Sequence, residues 1–161
     1  MTHFLGTHQN KLDAKGRVSV PAPFRAALRA LANGNGNGEG TTTLVLRPSH
    51  KHSCIEAWPT AFFDALATPL DSLDVFSDAQ DNLLAALYAD AYPVDTDREG
   101  RILVPESLVA YARLSESVVF MGLGRTFQIW EPEAAERRRL EAREHVRTHG
   151  LTLPAVARGA P

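Results

Sequence analysis

The chain has 161 residues, 44% hydrophobic and 22% charged, with 17 Lys and Arg against 19 Asp and Glu for a net charge of −2. Such a composition belongs to a globular protein of one domain or two small ones, and excludes collagen, coiled coil and wholesale disorder. No apolar run approaches the roughly 18 to 20 residues of a membrane span, the opening Met1-Thr-His-Phe-Leu-Gly6 lacks the apolar stretch of a secretory signal, and a lone Cys54 excludes an internal disulfide. The cytoplasm is therefore the expected compartment.

In chain order, Asp13-Ala-Lys-Gly-Arg17-Val-Ser-Val-Pro21 predicts a turn entering a strand, and Phe24, Ala27, Leu28 and Leu31 predict a short helix. The polar Gly/Asn stretch from Asn33 to Gly40 predicts a flexible loop. Strands are expected at Thr43–Leu46 and again up to Cys54-Ile-Glu-Ala-Trp58-Pro59. Helices are expected over Ala61–Leu70, limited by Pro69, and over Ala79–Ala91, where Ser77 and Gln80 offer a capping box.

The first motif then returns as Asp97-Arg-Glu-Gly-Arg101-Ile-Leu-Val-Pro105, offset by 84 residues at Asp, Gly, Arg, Val and Pro alike. A helical pattern (Leu108, Val109, Ala112) follows, then strands at Ser117–Phe120 and Phe127–Trp130, closing on Pro132. Between Pro59 and Pro132 the offset is 73, so the first copy is 11 residues longer, partly in the Gly/Asn loop. A surface helix is expected over Glu133–Thr148 and a mobile tail from Gly150. Each copy reads strand, turn, strand, short helix, strand, turn, strand. About 50 residues bury too little surface to stand comfortably alone, so two copies sharing one core about a pseudo-two-fold axis are expected.

The average charge conceals an uneven distribution. Residues 1–29 carry five basic groups against Asp13 for +4, and residues 56–99 carry ten acids against Arg98 for −9. A basic head joined to an acidic middle points to a polyanion partner, although solvated faces would look the same by charge alone.

In Asp-x-x-Gly-Arg, Gly16 and Gly100 supply the positive φ of a sharp turn, and Asp13 and Asp97 can accept from turn amides or pair with the arginine. Arg17 and Arg101 then present planar forks suited to a phosphate or to the O6/N7 edge of guanine. In a single copy an Asp–Arg bridge that merely stiffens a turn is the simpler reading, and its duplication weakens that reading.

These residues carry a resemblance to a known family. Lys15-Gly-Arg-Val-Ser-Val-Pro21 after Asp13, Gly100-Arg-Ile-Leu-Val-Pro105 after Asp97, and Gly122-Leu-Gly-Arg-Thr-Phe-Gln-Ile-Trp130 are similar to the motifs of the MraZ family, over roughly residues 4–132. The resemblance implies an α+β fold of two SpoVT/AbrB-like modules, duplicated swapped-hairpin (double-psi type) β-barrels related by a pseudo-two-fold, with flanking helices. Its boundaries would be residues 4–60, connecting helices 61–90, residues 91–134, and a C-terminal helix and tail over 135–161. It further implies a sequence-specific DNA-binding transcriptional regulator, cytoplasmic and nucleoid-associated, forming a homo-oligomeric ring. The implied partner is double-stranded DNA carrying short G-rich direct repeats upstream of its own division and cell-wall operon. The family's Asp-x-x-x-Arg positions fall on Asp13, Arg17, Asp97 and Arg101, the first motif being the better candidate for DNA contact; beside them, the basic residues Lys15 and Lys11 of the head are expected as further DNA contacts. No enzyme activity, cofactor, metal, membrane or small-molecule substrate is expected. Three departures stand out: a longer N-terminus, the Gly/Asn insertion, and Gln128 where the family often has Glu.

Alone, Lys11, Lys15 and Arg17 neutralise only about three phosphates, so avidity across subunits would carry the affinity. Head-to-tail packing would read direct repeats, an isologous dimer a palindrome. The acidic segment is expected to face away from DNA; the alternative is a ring-forming assembly module whose acidic flank binds a protein.

Other constellations read as structural. His50, His52 and Cys54 would share one side of a strand, but offer three metal ligands rather than four, and Cys54 reads as a small core residue. His145 and His149 lack the Glu of His-Glu-x-x-His, and Gly122-Leu-Gly124 suits a hairpin turn. Trp58 and Trp130 suit core or subunit anchors, and Arg137-Arg-Arg139 among glutamates suits a salt-bridged helix face.

Overall fold

The computed structural model describes residues 3–34 and 43–155. The Gly/Asn loop from residue 35 and the tail beyond residue 155 lie outside them. The first copy of the repeat builds β1 (Thr7–Lys11), β2 (Arg17–Ser19), α1 (Ala22–Gly34), β3 (Thr43–Pro48) and β4 (Ile55–Pro59). The second builds β5 (Tyr92–Asp95), β6 (Arg101–Leu103), α5 (Glu106–Tyr111), β7 (Ser117–Gly122) and β8 (Phe127–Trp130). Between them lie α2 (Thr60–Asp64), α3 (Ala67–Asp71) and α4 (Asp78–Tyr88), and α6 (Pro132–His149) follows. No helix among the described residues is long and apolar enough to cross a membrane.

The result is a mixed α and β fold whose strands pair across the repeat. Six strands form an antiparallel sheet in the order β1-β7-β8-β4-β3-β5, and β2 with β6 forms a separate two-stranded ribbon. Thr7 lies opposite Met121 and Lys11 opposite Ser117, while Thr43 lies opposite Asp95. The opening strand of each copy thus completes the sheet of the other, and the order reads the same from both ends.

One face of the sheet meets the ribbon, α1 and α5 over a shared core. Leu44, Leu46, Ile55 and Ala57 of the first copy and Val118, Phe120, Phe127 and Ile129 of the second point into it. Val18 and Ile102, mid-strand in the ribbon, close it from the other side. Four aromatic rings tie it together: Phe24 of α1 stands 5.3 Å from Phe4 and 5.0 Å from Phe127, with Phe120 at 5.9 Å from Phe127. Strands β3 and β7 are buried on both sides, which explains their unbroken apolar runs.

The outer face is covered by α2 to α4 on one half and α6 on the other. The single helix expected over Ala61–Leu70 is two. Pro69 has no N–H to give the carbonyl of Ala65, and its ring crowds that carbonyl, so the chain breaks at Ala65-Leu66 and restarts with Pro69 in the first turn of α3. The capping box is half formed. Ser77 Oγ accepts from the Gln80 amide at 3.1 Å, while the Gln80 side chain donates instead to the carbonyl of Leu70 at 3.2 Å, joining α4 to α3. Helix α4 runs Asp78–Tyr88, so it starts one residue before the expected Ala79 and stops three before the expected Ala91.

Arg47, on the outer side of β3, heads the large fully buried side chains among the described residues. Its Nη1 meets Glu56 Oε1 at 2.6 Å and its Nη2 donates to the carbonyl of Ala86 at 2.9 Å, pinning α4 to the sheet. Glu56 also accepts from the Trp58 indole at 3.1 Å. In the second copy Met121 lies opposite Gln128, which holds the Trp130 indole at 2.8 Å. Gln128 thus keeps the indole contact that Glu56 makes in the first copy, without the buried arginine that Glu56 pairs with.

Residues 49–54 do not continue a strand. Ser49 Oγ accepts from the amides of Lys51 and His52, curling the chain. Cys54 is consequently buried with Val119, Met121 and Trp130, His52 packs on Trp130 at 5.6 Å, and His50 faces solvent, so the three do not share a side. Burial pushes the Cys54 thiol up to about 12. Trp130 is core, Trp58 half-buried. Helix α6 runs as expected, its N-terminus capped by Glu131 and its C-terminus by left-handed Gly150. Its arginines depart from expectation: among the described residues the ion pair on α6 is Arg147–Glu144 at 3.5 Å, and Arg137, Arg138 and Arg139 make none.

Candidate nucleic-acid interface

The two Asp-x-x-Gly-Arg turns have the same geometry. Asp13 Oδ1 accepts from the amides of Lys15 (2.9 Å) and Arg17 (2.8 Å), and its Oδ2 takes the Arg17 Nε at 3.0 Å. Asp97 Oδ1 accepts from the amides of Glu99 and Arg101, both at 2.9 Å, and its Oδ2 takes the Arg101 Nε at 3.0 Å. Backbone hydrogen bonds between Asp13 and Arg17 and between Asp97 and Arg101 close each loop. Amide donors, those of Arg17 and Arg101 foremost, hold both carboxyls below the usual carboxylate range. Each arginine is bound through Nε, which aims its two terminal nitrogens outward.

Glycine is required at both turns. Gly16 has φ 89°, and a side chain there would press within 3.0 Å of the Val104 carbonyl. Gly100 has φ 77°, and a Cβ would fall 2.3 Å from Arg25 Nη1.

The turns are joined by the ribbon. Arg17 lies opposite Leu103 and Ser19 opposite Arg101. Val18 and Ile102 point into the core, so alternation sends Arg17, Ser19, Arg101 and Leu103 to the outer face. Leu103 is 57% exposed there. The two arginines stand diagonally across the ribbon, their backbones stepped by about 7 Å along it at ~3.4 Å per residue. Asn10 braces the arrangement, donating to the Ser19 carbonyl at 2.6 Å.

Arg17 and Arg101 are thus brought together with Lys15, which is exposed on the first turn. Lys11 is not. It leaves β1 on the face opposite Asn10, away from the ribbon. The copies also differ in charge. Where the first turn carries Lys15, the second carries Glu99, whose Oε2 meets Arg101 Nη2 at 3.0 Å. Arg101 is held by two carboxylates and Arg17 by one. Arg25 of α1 adds a contact to the second turn, donating to the Glu99 carbonyl at 3.3 Å, with Arg29 and Arg98 nearby. Arg25 and Glu99 escaped the sequence reading; the swap of lysine for glutamate between aligned copies was the available signal.

Comparison with known proteins decides the kinship. The family described as "MraZ protein, putative antitoxin-like" matches residues 3–85 and 87–146. The chain belongs to the MraZ family. The transcriptional regulator MraZ of Gluconacetobacter diazotrophicus is 65% identical over 158 residues, 98% of this chain and 96% of that one. That of Gluconobacter oxydans is 58% identical over 92% of this chain and 87% of its own length. That of Rhodospirillum rubrum is 43% identical over 86% of each. The two matched segments follow the two copies of the repeat, and the MraZ relatives bear the name of a regulator, which is not an enzyme class.

Proposed function

We propose that this chain is a non-enzymatic, sequence-specific DNA-binding transcriptional regulator, acting in the cytoplasm and on the nucleoid at the promoter of its own division and cell-wall operon. The observation that carries the reading is the outer face of the β2–β6 ribbon, where Arg17 and Arg101 are each aimed outward by an aspartate. A two-stranded ribbon fits the major groove of B-DNA, and an arginine fork there pairs with guanine O6 and N7, in keeping with G-rich repeats. Arg17 with Lys15 is the stronger reader, because Glu99 competes with DNA for Arg101. Lys11 supplies an outlying phosphate contact. Modules over residues 4–60 and 91–134 form the swapped-hairpin barrel, supported by the exchange of β1 and β5 between copies; the helices within 61–90 connect them and α6 follows the second. Copies assemble head to tail in a ring and bind direct repeats, since one ribbon grips few phosphates.

The test is a fluorescence anisotropy titration against the chain's own upstream DNA and a shuffled control at two salt concentrations. Preference for the upstream fragment, steep salt dependence, and loss of most of the affinity in Arg17→Ala are expected. An Arg17→Ala protein that binds as the parent does would overturn the reading.

A further inference from the structure

The outer face of the sheet carries two features that the ribbon does not use. The first is a knob between α3 and α4. Phe76 is 94% exposed and Val75 69%, an unusual amount of apolar surface on one turn. The turn is stiff: Asp74 Oδ1 accepts from the Phe76 amide at 3.1 Å, and the Asp74 carbonyl takes both the amide (2.9 Å) and the hydroxyl (2.6 Å) of Ser77. Asp71, Asp74 and Asp78 flank it along the chain, all exposed and none of them in an ion pair among the described residues.

The second is a groove of about 400 Å³ between α6 and the β7–β8 end of the sheet. Met121 and Leu123 supply apolar floor and rim, and Arg138, Arg139 and Arg143 stand along one wall with no acidic residue among the lining. These three arginines, like the aspartates of the knob, make no ion pair among the described residues. Knob and groove cover opposite halves of the sheet: α4 is pinned over β3, and α6 lies over β7. Phe76 is not seated in the groove of its own chain.

We propose that the acidic Phe76 knob of one copy docks into the arginine-walled groove of a second copy of this chain. The ring would enter between the α6 wall and the Met121–Leu123 floor, and the aspartates around it would meet Arg138, Arg139 and Arg143. Different surfaces of the two copies meet, so the contact is heterologous and leaves a free knob at one end and a free groove at the other, which propagates assembly head to tail. An aromatic anchor ringed by charge pairs is the composition of an interface hot spot, and its charged rim makes it weaken with salt. This inference rests on the self-assembly within the proposed function and supplies its contact.

The experiment is light scattering and sedimentation on the full chain, with Phe76→Ser and the double variant Arg139→Glu/Arg143→Glu. Phe76 touches solvent, so its variant keeps the fold. Each variant alone should lose assembly, with an affinity drop on the order of 30-fold or more for the aromatic truncation. An equimolar mixture should form a discrete dimer, because one partner keeps a working groove and the other a working knob. Phe76→Ser with the mass of the parent, or a mixture that stays monomeric, refutes the docking, and a protein or DNA occupant of the groove would show itself by that same outcome. Arg17→Ala is the separating control. It should assemble fully while losing DNA, so failure of DNA binding in every protein leaves the docking standing, and unaltered assembly of Phe76→Ser with DNA binding intact leaves the DNA reading standing.

Discussion

Glu99→Lys copies the charge of the first turn onto the second. In the parent, Arg101 Nη2 is held 3.0 Å from Glu99 Oε2 with both side chains substantially exposed, so the pair is worth only about 0.2–1 kcal/mol and breaks readily. Its effect on DNA binding is larger than its effect on stability. Substitution frees one guanidinium edge and adds one ammonium, two phosphate contacts in all, each steepening the plot of log affinity against log salt by about 0.9. The slope should therefore steepen by about 1.8 per engaged ribbon, and a fourfold rise in salt, from ~50 to ~200 mM, should cost the variant about tenfold more affinity than it costs the parent. Anisotropy titrations at four or five salt concentrations measure this directly. Glu99→Lys/Arg101→Ala should retain about half of the added slope. A parental slope in Glu99→Lys, from a protein whose first turn still binds DNA, would refute the idea that Glu99 holds Arg101 back.

Glu56→Ala leaves Arg47 charged and buried with only the Ala86 carbonyl for company, and should destabilise by about 3–5 kcal/mol in urea unfolding. Arg113 is exposed with φ 56° after α5, so Arg113→Gly should stabilise by about 1 kcal/mol, visible as a raised midpoint in the same assay. Asp13 and Asp97 bind fewer protons folded than unfolded, so their contribution is present above the ordinary carboxylate value near 4 and is lost as pH falls through their lowered values. Asp13→Asn/Asp97→Asn should flatten that part of the stability curve, followed by circular dichroism between pH 5 and about 2.

Both turns were legible in the sequence because their chemistry is local: aspartate, glycine and arginine lie within five residues and fold onto one another. The duplication was legible for the same reason. Strand pairing was not, since alternation says which face a residue takes and nothing about which strand lies beside it. The pseudo-two-fold suggested a shared core, yet only the register shows Thr7 opposite Met121. Arg47 hid within an apolar run, and the correspondence of the Arg47–Glu56 pair with Met121 and Gln128 emerges only once the two hairpins are aligned in space. The break before α3 was misread because Pro69 acts on a carbonyl four residues upstream rather than at its own position. Knob and groove each looked like solvated charge along the chain, and became complementary shapes only when α4 and α6 were placed on one face.

The lending of β1 to the other copy also sets a timetable. Lys11 meets Ser117, 106 residues later, so at the ~5–20 residues per second of ribosomal synthesis the opening strand waits on the order of 5–20 s for its neighbour. Until then the edge it will cover does not exist, and β2 lacks the β6 that makes it a ribbon. Neither arginine can be set against the other before the second half has emerged. The surface proposed to read DNA is thus a property of the finished polypeptide, and a nascent first half, though it holds the better of the two turns, has no ribbon with which to present it.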